Sequence, residues 1–492
     1  MNKWDMRGIG FRSIESVTPN NTGPFKVYLS LRRFYVASLL RLRRLIPDSR
    51  LFSQVTDLEH STHDLPQAPL PAGQSLLSES TEVAQSGKML VLLAAFLGWM
   101  FDGLEMGIFP QIARPALQNL LSSKSLSPEK LKETIKFWNV VIDALFLFGA
   151  AFGGLAFGWL GDKIGRVKAM SMSILVYSAF TGLLFFVQSP LQIAILRFTA
   201  AIGMGGEWAL GVALVMEVWD ARHRPMLAGL IGAASNVGFV LVGVIGVYFP
   251  VTETSWRWVV LAGAAPAAIT FLIQRYVPES HKWEAAQKQA PSKPLTELFG
   301  NRKLMMTTLL AICFASIALL GTWGAVQKIP SWVDIEVKNA PIRGKGYAQI
   351  TSGVGAIIGC LLAPLMAAAL NRRIAYFLLC LGSLASCLIL FRGFTRYGLG
   401  FLAMVLVCGG FSAAFYGWLP LYLPELFPTR VRATAQGIAF NSGRILAAVG
   451  SISLSYATVN YAKMGQAVSL IYLVGMVVIW FAPETKGKPL PD

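Results

Sequence analysis

The chain has 492 residues, 54% of them hydrophobic and only 14% charged. A soluble domain carries about a quarter charged residues, so composition excludes an ordinary globular protein and indicates a membrane one. The net charge of +17 does not imply nucleic acid in so apolar a chain, because Lys and Arg held in loops on the inner face account for it.

Residues 1–88 are polar and rich in Ser, Pro and Arg, with too few apolar residues to fold alone. Their first thirty residues lack the apolar core of a cleavable signal peptide. Within them "SLRRFYVASLLRLRRLI" (30–46) reads as a basic amphipathic helix on an anionic membrane face. A solvated tail and initiation at Met89 are the alternatives.

From residue 89 onward, apolar runs recur at the length that crosses ~30 Å of hydrocarbon. They are 89–109, 137–160, 167–188, 191–214, 226–249 and 257–277. After a polar stretch they resume at 303–327, 346–370, 374–392, 398–422, 433–457 and 464–482. The expected fold is an all-α membrane protein with twelve transmembrane helices in two pseudo-symmetric six-helix bundles. The expected boundaries are a cytoplasmic extension (1–88), a first bundle (89–277), a cytoplasmic linker (278–302), a second bundle (303–482) and a cytoplasmic tail (483–492).

The halves are related. Glu217, Arg222, Arg224 and Gly229 follow the fourth run, and Glu425, Arg430, Arg432 and Gly437 follow the tenth, both as E-x4-R-x-R-x4-G. The sixth run ends in "PES" (278–280) and the twelfth in "PET" (483–485). Duplication on this scale marks transporters that hold substrate between two halves near the midplane. Charge favours cytoplasmic termini, although most of the excess lies in residues 1–88.

Between the second and third runs stands "GWLGDKIGRVK" (158–168). Gly158 and Gly165 permit a tight helix–helix turn, and Asp162 sits among Lys163, Arg166 and Lys168. Such charges can latch helices together in one state of a cycle. The pattern resembles the signature loop of the major facilitator superfamily, across residues 89–488. That likeness places the loop in the cytoplasm and adds Glu217, Arg222, Arg224, Glu425, Arg430 and Arg432 to the latch. The second copy, "PLMAAALNRR" (364–373), has Pro364, Ala368 and Asn371 where the family has Gly, Asp and Gly, so a weaker latch is expected there. "GWMFDGLEMGIF", "IGMGGEWALG", "WRWVVLAGAAPA", "PELFPTRVRATAQG" and "PETKG" are similar to the sialate and aromatic-acid proton symporters. That resemblance implies import of small carboxylates and a pair of acids in the first helix, here Asp102 and Glu105.

Four carboxylates lie within runs of the first half: Asp102, Glu105, Asp143 and Glu207. Intramembrane ionisable residues are functional by default. At 1.5 Å per residue, Asp102 and Arg197 fall at similar depth, so a pairing of these two is expected. Asp102, Glu105 and Glu207, with Arg197, are the candidates for proton coupling. Runs of the second half hold one buried cation, Arg444, with Asn441 three residues earlier on the same face. Arg444 offers the fork that grips a carboxylate. Asn441, Tyr416 and Trp418 are its expected companions at the substrate.

The expectation is a monomeric multi-pass transporter of the plasma (inner) membrane. It would import a small organic anion with protons and need the lipid bilayer but no metal, cofactor or nucleic acid. A sugar porter or uniporter and a non-transporting nutrient sensor are the alternatives. No nucleophile–base pair, phosphate loop or metal cluster suggests an enzyme, and the five cysteines show no metal-ligand spacing. Because no expected helix lies in residues 1–87, deleting them should leave insertion and uptake near wild type. Membrane yield and transport of the truncated protein check this, and loss of either would make the basic segment part of the working protein.

Overall fold

The computed structural model describes residues 85–491, except 123–125, 250, 290–292 and 458–459. The segment 30–46 and the rest of residues 1–84 lie outside the described residues.

The membrane-crossing segments are numbered α1–α12 in chain order. In the first half they are α1 (Gln85–Leu121), α2 (Pro128–Ile164), α3 (Arg166–Leu183), α4 (Pro190–Val218) and α5 (Arg224–Tyr248). α6 is broken: Trp256–Leu261, a 3-10 turn, then Pro266–Tyr276. In the second half they are α7 (Arg302–Gly324), α8 (Gly344–Ala369), α9 (Arg372–Gly393), α10 (Leu399–Ala413 continued by Phe415–Tyr422), α11 (Arg432–Ala457) and α12 (Tyr461–Ser469 continued by Ile471–Val478). Among the described residues, 10 helices are long and apolar enough to cross a membrane. The two segments outside that set are α6 and α11. α6 is cut by its own turn, and α11 carries Arg432, Gln436, Asn441 and Arg444 along its length.

Local sequence explains where the helices begin. Ser127 and Ser189 cap α2 and α4, and each is followed by a proline whose missing N–H costs nothing at a helix start. Asn301 caps α7 and Asn371 caps α9, the latter accepting from the Ile374 N–H at 2.7 Å. α1 runs well past the expected end at 109, through Pro110 and Pro115. Beyond the prolines, Ile112, Ala116 and Leu117 pack with Ile142, Leu184 and Trp256 in a second core cluster. Burial there outweighs the helix-breaking tendency of proline.

Glycine sets how closely the helices approach. A Cβ at Gly149 or Gly153 of α2 would run into the carbonyls of Phe198 and Ile202 on α4. A Cβ at Gly355 or Gly359 of α8 would do the same to Leu406 and Gly410 on α10. These two Gly-xxx-Gly pairs are equivalent positions of the repeat, and small residues are what let membrane helices pack backbone to backbone. Across the halves, α2 packs on α11 and α5 on α8, again as equivalents.

One end of the bundle, the latch end, is built twice from the same parts. In the first half, Arg166 donates to the Gly161 carbonyl at 2.7 Å and to Glu217 at 3.3 Å. Glu217 also accepts from the Ser280 hydroxyl at 2.6 Å, and Glu279 accepts the backbone N–H groups of Arg166 and Val167 at 2.9 and 3.1 Å. In the second half, Arg372 donates to the Ala367 carbonyl at 2.8 Å and forks onto Glu425 at 2.7 and 3.0 Å. Thr485 donates to Glu425 at 2.6 Å, and Glu484 accepts from the N–H groups of Arg372 and Arg373 at 3.1 and 3.3 Å. The second copy keeps a complete arginine–glutamate network, and what it lacks is the acid, with Ala368 in its place. Asn371 stands where Gly165 stands in the first half. Gly165 takes φ +108°, whereas Asn371 is extended and supplies the cap of α9.

The two acidic caps differ in environment. Burial pushes the Glu279 carboxyl up despite the backbone N–H groups it accepts. Glu484 also feels burial, but the N–H groups of Lys486, Arg372, Arg373 and Thr485 hold it below the usual glutamate range.

Burial ranks the latch pairs. Arg372 and Glu425 are 6% and 5% exposed, whereas Arg430 bonds Glu297 at 2.5 Å with 50% and 27% exposed. Glu425→Ala strands a buried cation and should cost about 3–5 kcal/mol. Arg430→Ala should cost about 0–1 kcal/mol. Thermal unfolding in detergent measures both, and similar shifts would contradict the buried network.

Candidate functional site

The halves meet through polar bonds at both ends of an interior cavity. At the latch end, Asp162 accepts from the Thr434 N–H at 2.9 Å and from the Thr434 hydroxyl. Its other oxygen holds Arg166 at 2.5 Å. Arg166 also reaches the Thr429 carbonyl at 3.3 Å, and Arg432 donates to Glu217 at 3.4 Å and to the Pro491 carbonyl at 2.9 Å. A Cβ on Gly158 would touch the Ala433 carbonyl at 3.2 Å, so this glycine brings α2 against the start of α11. Ala368 occupies the place of Asp162 in the second half, so the carboxylate that clamps a facing helix exists in one copy. At the far end, Gln111 donates to Gln349 at 2.6 Å, Lys328 pairs with Asp143 at 2.8 Å, and Arg114 approaches Asp334 at 3.8 Å.

Between these closures lies a cavity of about 30 Å³, room for roughly two waters. An organic substrate needs it to open. Its walls include Trp99, Asn236, Thr322, Trp323, Tyr416, Phe440 and Arg444. Arg444 is its only charged lining residue among the described residues. The cavity floor is aromatic: Phe440 stacks on Trp208 at 4.1 Å and meets the rings of Trp99 and Tyr416 at 6.3 and 6.1 Å. The Arg444 guanidinium lies 5.1 Å from the Phe440 ring centre. One of its nitrogens donates to the Asn441 side-chain oxygen at 2.7 Å.

The expected pairing of Asp102 with Arg197 is not formed. Arg197 donates to Glu105 at 2.7 Å, and Thr181 donates to the same oxygen at 3.4 Å. Phe109 and Phe146 stand 4.6 and 4.5 Å from the guanidinium. Asp102 instead lies near Glu207 and Arg444. Gly98 leaves the space that Glu207 fills, one helical turn from Asp102. Glu105, three residues beyond Asp102 on α1, is the acid that reaches Arg197.

Other expected site residues are placed as follows. Tyr416 and Arg444 line the cavity. Asn441 does not: its amide donates to the carbonyls of Gly205 on α4 and Gly437 at 3.2 and 2.9 Å. It orients Arg444 and joins the halves. Trp418 is fully buried inside the second half, where it donates to the Arg372 carbonyl at 3.1 Å and packs on Tyr376 and Tyr422. Neither lines the cavity in this structure. Lys168 and Arg222 are exposed and hold no side-chain bond among the described residues. Arg224 is buried near Glu425, mirroring Arg432 near Glu217. Trp99, Phe440 and the Gln111–Gln349 and Asp143–Lys328 contacts were not anticipated. Asp143 and Gln349 carried a signal, as an acid and an amide in apolar runs.

Residues 91–451 match the family model of the Major Facilitator Superfamily. The chain belongs to this superfamily. It is an integral, multi-pass membrane transporter and not an enzyme. It is 29% identical to the "Probable 4-methylmuconolactone transporter" of Cupriavidus pinatubonensis, covering 80% of this chain and 90% of the relative. It is 26% identical to the "Cis,cis-muconate transport protein" of Acinetobacter baylyi, covering 81% and 95%. Among solved structures, the proton:xylose symporter XylE superposes with TM-score 0.66 at 18% identity over 83% of this chain and 98% of that one. At that identity the likeness shows the fold alone.

The Glu105–Arg197 geometry of this transporter yields a stability test. Glu105→Met alone leaves Arg197 buried and unpaired and should cost about 3–5 kcal/mol. The double change Glu105→Met, Arg197→Met removes both charges and should recover most of that loss. Melting temperatures in detergent check it. Additive losses would show that the pair is not coupled.

Proposed function

We propose that the protein is a proton-coupled symporter that imports a small organic anion by alternating access. The observation that carries this reading is Arg444 as the single charge on an otherwise aromatic and weakly polar cavity wall. A guanidinium offers two parallel N–H groups to a carboxylate. Trp99, Tyr416, Trp323 and Phe440 offer faces to a planar body. The names of the two relatives, both organic acids or their lactones, support the substrate class. The buried acids of the first half support proton coupling.

In the cycle, the Asp162–Thr434 and Arg432–Glu217 contacts break when the latch end opens. The Gln111–Gln349 and Asp143–Lys328 contacts break when the far end opens. With the termini inside, the latch end is cytoplasmic. A single chain contains both gates and the whole cavity, so the monomer is the transporting unit. A sugar would need more amide and hydroxyl groups than Asn236, Ser235, Gln327 and Thr322 provide.

Uptake of labelled benzoate, nicotinate and cis,cis-muconate into proteoliposomes should rise with outside acidity and collapse with a protonophore. D-xylose should not accumulate. Arg444→Lys, which keeps the charge but not the fork, should weaken half-saturation about tenfold or more. Replacing the substrate carboxylate by an amide should cost the wild type far more than it costs Arg444→Ala. Uptake indifferent to the gradient would sink proton coupling, and equal amide penalties in both backgrounds would sink the arginine clamp.

A further inference from the structure

Five charged groups share the interior of the first half and its border with α11. Two close on each other: Glu105 and Arg197, bonded at 2.7 Å and net neutral. Three remain: Asp102 on α1, Glu207 on α4 and Arg444 on α11. Asp102 is 0% and Glu207 2% exposed. None of their four carboxyl oxygens accepts a hydrogen bond from any donor among the described residues. Yet the two carboxyl groups are neighbours: a Cβ on Gly98, one helical turn before Asp102 on the same face of α1, would run into the Glu207 carboxyl. The other titratable groups facing them are Glu105 and, from α3, the buried hydroxyl of Tyr177.

Two ionised carboxylates are disfavoured there, because neighbouring like charges without donors repel strongly in a buried place. A proton on one of them turns the repulsion into a hydrogen bond, since a protonated carboxyl donates to its neighbour. We propose that Asp102 and Glu207 form one proton site, sharing a single proton when the cavity holds no substrate and taking up a second when a substrate carboxylate claims Arg444. With one proton the trio of Asp102, Glu207 and Arg444 is electrically neutral. A substrate carboxylate on Arg444 makes it net negative, and a second proton drawn from solution restores neutrality. A net buried charge is what the low-dielectric interior disfavours most. Coupling therefore follows from one arginine serving two anions in turn, at one proton per monocarboxylate. Glu105 is left out of the exchange, because Arg197 already neutralises it.

The second proton rests on the organic-anion reading, whereas the first does not, and the measurements separate them. Infrared difference spectra of the unliganded wild type near neutral pH should show a deuterium-sensitive carbonyl stretch of a protonated carboxylic acid. Asp102→Asn and Glu207→Gln should each remove it. A wild type without that band, or a band that survives both substitutions, would overturn the shared proton. In weakly buffered detergent solution with a pH dye, wild type should take up close to one proton per bound benzoate and none with benzamide. Benzoate binding without proton uptake would overturn the second proton. Failure of benzoate, nicotinate and cis,cis-muconate to bind at all would overturn the anion reading and the second proton together, while the infrared band still decides the first. The wild-type measurements stand even if a variant does not fold.

Discussion

A charge buried between membrane helices has to be neutralised where it lies, because no solvent is there to do it. Each half of the protein answers this with the same device. An arginine at the start of its third helix is held by a glutamate from the end of the fourth and a carbonyl five residues back, while an acid beyond the sixth helix caps the chain. Arg166 and Arg372 are the centres of these two knots, at 0% and 5% exposure. Each knot ties together four segments of its own half, and a separate set of bonds crosses between the halves.

Those crossing bonds are not symmetric. Asp162 clamps the start of α11, and its equivalent, Ala368, has nothing with which to clamp α5. The charge in the interior is asymmetric too: acids come from the first half and the cavity arginine from the second. The scaffold is duplicated and the interior charge is not. α11 carries much of that difference. Among the described residues it stands outside the 10 helices apolar enough to cross a membrane, with Asn441 and Arg444 within it and Gln436 and Arg432 leading into it.

Much of this was legible in the chain. Apolar run lengths marked the helices, and the E-x4-R-x-R-x4-G repeat marked the two halves and the residues that knot them. The Gly-xxx-Gly pairs at 149–153 and 355–359 carry the same repeat and escaped notice, because a glycine in an apolar run has no charge to draw attention. The continuation of α1 past Pro110 was also illegible. It depends on Leu184 and Trp256 covering Ile112 and Leu117 from distant parts of the chain.

The sequence by itself determined the crossing segments, the repeat and the superfamily, and it orders the buried charges along each helix at 1.5 Å per residue. Only the tertiary structure decided who meets whom at a given depth. Asp102 and Glu105 differ by three residues and about 60° around α1. That small rotation sends one to Glu207 and Arg444 and the other to Arg197. In the same way, Arg444 reaches the cavity and Asn441 turns to Gly205. Rotation about a helix axis is set by which neighbours pack against it, and no count along a single helix contains that information.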